Sequence, residues 1–189
     1  MMSTLKTRLR DYLLLPALLL MLLPGLSVAD NFPAQQAFAG QNLTLNGKGV
    51  RTRLFFNLYT AGLYLQQANK DADAIIAANQ PMALRLEITS AMITSETMSS
   101  AVQDGFALSA GSNLAALQAR IDQLIKIFSA KINEGDIYDF VYRPQQTLII
   151  KNGQNAGAIS GADFKQALYA IWLGKQPVQA SLKQQLLGQ

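Results

Sequence analysis

The stretch LTLNGKGVRTRLFFNLYTAGLYL, residues Leu43–Leu65, reads as strand–turn–strand. Asn46-Gly47 supplies the turn signal, because both residues tolerate positive φ. Beyond it the side chains alternate. Val50, Leu54, Phe56 and Leu58 fall on one face, Arg51, Arg53, Asn57 and Tyr59 on the other, and Phe55 interrupts the polar face. Gly62 permits a bulge or bend before Leu63-Tyr64-Leu65.

Further along, the periodicity changes twice. Asp71 precedes a short helix over Ala72–Ala78, and Leu84, Leu86 and Ile88 alternate with Arg85 and Glu87 as a half-buried strand. Thr94 or Ser95 caps a helix with Met98, Val102 and Phe106 at four-residue steps. Ser112 or Asn113 caps the next, whose stripe is Leu114, Leu117, Ile121, Leu124, Ile125 and Phe128. Strands resume at Asp136–Tyr142, broken by Pro144, and at Thr147–Lys151 and Gln154–Ile159, which flank the hairpin signal Asn152-Gly153. Helices over Ala162–Leu173, closed by Gly174, and about Gln179–Leu187 end the chain. Strands in blocks and helices in blocks predict an α+β fold, an antiparallel sheet with helices on one face.

Upstream, Lys6, Arg8 and Arg10 precede an uncharged run from Tyr12 that closes on Ser27-Val28-Ala29. That is the three-part pattern of a secretory signal peptide cleaved after Ala29. The rival is a retained anchor, but Pro16, Pro24 and Gly25 interrupt a run barely long enough to span a bilayer. The expected organisation is therefore 1–29 signal peptide, 30–40 N-terminal extension and 41–189 one domain, in the periplasm or secreted. Without the leader, 13 basic and 11 acidic residues remain, net +2. The basic run Lys48–Arg53 is too short and too apolar in its setting for nucleic acid.

The 189 residues contain no cysteine and no histidine. Disulfides, thiol nucleophiles, Cys-ligated metal and Ser–His–Asp catalysis are excluded. The missing cysteine also excludes a lipoprotein anchor. No cofactor and no metal are expected, and chemistry is left to Arg, Lys, Tyr, carboxylates and backbone.

Leu45-Asn46-Gly47-Lys48-Gly49-Val50-Arg51 followed by Asn57–Leu65 resembles the signature of the chalcone isomerase-like family. Its bacterial exported branch is matched further by Gly135-Asp136-Ile137-Tyr138, Lys151-Asn152-Gly153, Ser160–Phe164 and Ile171-Trp172-Leu173-Gly174-Lys175. The resemblance implies an open-faced β-sandwich, a curved antiparallel sheet with a helical layer on one face. It also implies one of two activities. The plant enzyme cyclises chalcones with an Arg and Thr/Tyr hydroxyls, whereas non-catalytic relatives hold a fatty-acid carboxylate with an Arg and a Tyr.

Under that resemblance Arg51 takes the place of the family Arg and Tyr59 that of the binders' Tyr. Met98 falls at the enzyme's catalytic Tyr, Gly105 at its active-site Asn and Ile171 at its Ser/Thr position. The expectation is an exported, non-catalytic binder of a small apolar acid such as a fatty acid, touching membranes transiently. The alternatives are an intramolecular lyase acting on a phenolic or enone substrate, or a structural envelope protein with a filled interior. The ligand-binding candidates are Arg51, Tyr59, Arg53 and Tyr64. On a straight strand Arg51 and Tyr59 would stand about 26 Å apart, so they share a ligand only if the chain bends or turns between them. Tyr64 joins them only if Gly62 bulges. Tyr138 and Tyr142 read as amphipathic sheet residues, and nothing signals an oligomeric state.

Overall fold

A computed structural model describes residues 31–189, so the signal-peptide reading of 1–29 lies outside the described residues. Seven strands form one antiparallel sheet in sequence order: β1 Gln35–Phe38, β2 Gln41–Arg53, β3 Phe56–Leu65, β4 Met82–Ile88, β5 Ile137–Arg143, β6 Gln146–Lys151 and β7 Gln154–Ser160. Helix α1, Ala72–Ala77, follows β3. Helices α2, Ser95–Ser109, and α3, Leu114–Ile127, separate β4 from β5, and α4, Ala162–Leu173, and α5, Ala180–Leu186, end the chain. The fold is α+β, a curved antiparallel sheet with a helical layer.

Local chemistry explains most boundaries. Asp71 accepts from the Ala74 amide at 3.0 Å to start α1. Thr94 starts α2 through a reciprocal box, its hydroxyl accepting from the Thr97 amide while the Thr94 amide donates to Thr97 Oγ1. Asn152 and Gly153 both take positive φ, 51° and 78°, and close the β6–β7 hairpin as expected.

Asn46-Gly47 does not turn the chain. β2 runs straight through it, and the hairpin closes at Leu54-Phe55, with Leu54 at φ 57°. Asn46 instead occupies a bulge between the Leu45–Tyr64 and Gly47–Leu63 pairs. Its side chain donates to the Asn69 and Leu186 carbonyls and accepts from the Asn69 amide. A Cβ on Gly47 would lie 2.1 Å from the Gln185 carbonyl oxygen, and one on Gly49 2.0 Å from the Gln185 side chain. The glycines are there because α5 lies directly on the strand.

Gly62 does not bulge either. β3 and β4 stay in register through the Gly62–Arg85 pair, and a Cβ on Gly62 would meet the Phe32 ring at 2.5 Å. That contact belongs to a second apolar layer. Phe32, Phe38, Leu43, Tyr64, Ala83, Val141 and Leu148 pack on the sheet face away from the helices. Strand β4, expected to be half-buried, is therefore covered on both faces, and Arg85 is only 9% exposed. The segment read as an extension contributes β1 and this cover.

The main core lies between the other sheet face and the helices, with Phe106, Leu124, Phe128, Phe164 and Leu173 fully enclosed. Inside it Lys165, 1% exposed, donates to the Ile75, Ile76 and Ala78 carbonyls at 3.1, 2.8 and 2.7 Å. The ammonium satisfies the end of α1 and lies over the Tyr142 and Tyr169 rings. Burial pushes its pKa down to about 8.

An unfolded chain holds that proton to about pH 10.4. Above about pH 8 the unfolded state therefore binds more protons than the folded one, and stability rises with pH. Burial raises the Tyr59, Tyr138 and Tyr169 hydroxyls, so above about pH 10 these three lose their protons more readily in the unfolded chain and stability falls. Urea titrations across this range should show a stability maximum near pH 9–10. Lys165→Met should remove the rise and cost about 1–3 kcal/mol, because three carbonyls lose their donor.

Candidate binding site

The turn at Leu54-Phe55 folds β3 back on β2 and sets Arg51 directly opposite Tyr59. The separation that a straight strand would impose disappears, because the chain reverses between the two residues. A second bulge lies between the Arg51–Tyr59 and Thr52–Asn57 pairs. Leu58 is the unpaired residue there. This lets the consecutive residues Leu58 and Tyr59 both join the helix-side core, each 8% exposed.

Trp172 of α4 donates its indole N–H to the Tyr59 hydroxyl at 3.0 Å. With that oxygen accepting from indole, the phenolic proton has no acceptor among the described residues. Burial pushes the Tyr59 pKa up to about 12, against the Trp172 hydrogen bond and the charge of Arg51. Tyr59 thus stays a neutral donor at ordinary pH.

Arg51 is half-buried. Its Nη1 donates to the Thr52 carbonyl and, at 3.1 Å, to Gln179 Oε1. The same Gln179 oxygen accepts from the Thr52 amide at 2.9 Å, and its Nε2 donates to Val50 O and Ser181 Oγ. Gln179 therefore ties β2 to the start of α5 and holds the guanidinium in place. Among the described residues no carboxylate pairs with Arg51. One charged fork and one phenolic proton without an acceptor, both on the helix side of the hairpin, are the kind of donors that can address a single anion.

The other candidates go elsewhere. Arg53 pairs with Phe56 at the exposed end of the hairpin. Tyr64 lies on the opposite face, its ring edge-on to Phe38 at 4.8 Å and its hydroxyl donating to the Pro33 carbonyl at 3.1 Å. The structure thus brings Arg51 and Tyr59 together and separates Tyr64 from both. Tyr138 and Tyr142 belong to the core, and Tyr142 donates to Asn79 Oδ1 at 2.6 Å.

The core that Tyr59 and Trp172 belong to is closely packed. Met98, Val102, Phe106, Ile171 and Trp172 are each at most 8% exposed, and a Cβ on Gly105 would stand 3.0 Å from Ile171. Gln179 and Trp172 stand outside the candidates that the sequence offers for the site. Gln179 gives no local signal. Trp172 gives one: a buried indole needs an acceptor.

A family model described as chalcone isomerase-like matches residues 27–188. A solved structure of a fatty-acid binding protein from Arabidopsis thaliana superposes with a TM-score of 0.68 at 15% identity, covering 82% of this chain and 90% of that one. No curated protein matches the sequence.

Proposed function

Since this chain belongs to the chalcone isomerase-like family, we propose that it is an exported, non-catalytic binder of a small apolar carboxylic acid, most simply a fatty acid. The observation that carries this reading is the Arg51–Tyr59 pair, set opposite each other across the hairpin. The acid's carboxylate takes the guanidinium and the free phenolic proton, with Gln179 Oε1 giving up its hold on Arg51. Its aliphatic tail enters between sheet and helices, where Met98, Val102 and Ile171 rearrange around it. Met98 suits this because an unbranched thioether adapts to irregular space. Apolar or absent side chains at Met98, Gly105 and Ile171 favour a tail over a phenol. The fatty-acid ligand of the Arabidopsis neighbour supports the same ligand class. The leader pattern over residues 1–29 supports export.

Trp172 is the chain's only tryptophan and is bonded to Tyr59, so its emission reports the site. Oleate added to delipidated protein should shift that emission saturably. Arg51→Ala should weaken uptake about tenfold to a hundredfold, the worth of a charged hydrogen bond, and Tyr59→Phe by less. Organic extracts of purified protein free of acid, together with unchanged emission on titration, would exclude the reading. That result would favour a structural envelope protein, for which the close packing around Trp172 speaks.

A further inference from the structure

The hairpin that carries Arg51 and Tyr59 ends in three apolar side chains held out from the fold. Leu54 is 84% exposed, Phe55 98% and Phe56 54%. Leu54 also takes φ 57°, a region bulky apolar residues seldom occupy and Asn or Gly enter freely. A hairpin built only to turn in water would need neither feature. Met92, 49% exposed, adds to the same end of the sheet, in the loop whose Thr89 amide donates to the Leu58 carbonyl.

Within the hairpin itself the charge has one sign. From Gln41 to Leu65 the hairpin contains Lys48, Arg51 and Arg53 and no acidic residue. Three side chains of this size offer roughly 500 Å², less than the approximately 800 Å² each partner contributes to a stable protein interface. A small apolar wedge with the exposed Arg53 at its base instead fits a bilayer surface, where apolar groups reach the acyl boundary and a cation meets anionic headgroups.

We infer that the β2–β3 hairpin tip docks the protein on an anionic lipid bilayer, with Leu54, Phe55 and Phe56 inserted and Arg53 at the headgroups. Arg51 stands about 10 Å along the strand from the tip, comparable to the roughly 5–10 Å depth of interfacial insertion. Docking therefore brings the Arg51–Tyr59 pair to the level of the headgroups, where the carboxylate of a membrane-held acid resides. That consequence rests on the acid-binding reading; the docking itself does not.

The test is cosedimentation with phosphatidylcholine vesicles containing about one third phosphatidylglycerol. The chain is used as purified, its N-terminus read by mass spectrometry so that every arm shares the same leader state. Wild type should partition onto these vesicles, less so in high salt, and Leu54→Ser/Phe55→Ser should bind about tenfold or more weakly. Oleate uptake, followed through Trp172, should be the same in both proteins. Equal sedimentation of the two proteins, or sedimentation of neither, overturns the proposal. So does analytical ultracentrifugation showing that the wild-type tip joins two copies in place of binding vesicles. Wild type that takes up oleate but ignores vesicles refutes docking alone. Tip-dependent docking without acid uptake sustains docking and refutes the acid-binding reading.

Discussion

Arg85→Met is expected to destabilise the fold by about 3–5 kcal/mol, because it leaves Asp139 charged, buried and without its partner. Arg85 and Asp139 face each other across β4 and β5, with Nε to Oδ1 at 2.7 Å and Nη2 to Oδ2 at 3.0 Å. Asp139 is 4% exposed and forms no other hydrogen bond to a described side chain. The remaining nitrogen, Nη1, donates to the Asn31 carbonyl at 2.7 Å, and the guanidinium lies over the Phe38 ring. One side chain thus answers a buried carboxylate and pins the N-terminal cover to the sheet. For a domain of this size the loss corresponds to roughly 6–20 °C in Tm. Calorimetry of Arg85→Met checks it. The double variant Arg85→Met/Asp139→Leu should recover most of the loss, since removing both charges removes the uncompensated one. A single variant within about 0.5 kcal/mol of wild type would show that Asp139 finds water or another donor.

Gly47→Ala is expected to cost about 3 kcal/mol or more by lifting α5 from the sheet. The added methyl would stand 2.1 Å from Gln185 O and 2.7 Å from Leu186 O, both backbone atoms that cannot rotate away. Relief requires moving a helix that buries Leu182 and Leu186, together with its C-cap Leu187. Because Gln179 opens that helix and holds Arg51, the same substitution should loosen the binding site. Hydrogen exchange should show α5 amides losing protection ahead of the strands. Unchanged protection together with unchanged Tm would mean the strand, and not the helix, yields.

Sequence reading recovered the elements whose cause is local. The caps at Asp71 and Thr94, the Asn152-Gly153 turn and the apolar stripes of α2 and α3 each depend on side chains within a few positions. It failed at Asn46-Gly47, where the same dipeptide chemistry met a partner 140 residues away. Asn46 is bonded to Leu186 O, and Gly47 clears the path of α5. A turn signal and a docking notch are identical in one dimension. Arg85 shows the same limit: its alternation with Leu84 and Leu86 is correct, but what covers the polar face comes from residues more than forty positions earlier.

The candidate site divides along that line. Its chemistry was legible in a chain with no histidine or cysteine, where a resemblance selected Arg51 and Tyr59 as the pair for an acid. Sequence alone thus determined the residue types, the α+β class and the family. Only the tertiary structure decided that these two residues meet, that Tyr64 faces away, and that Gln179 and Trp172 hold them by hydrogen bonds. The reason is that hairpin register and helix docking depend on contacts across the fold, and a string of propensities carries no distances between its distant parts.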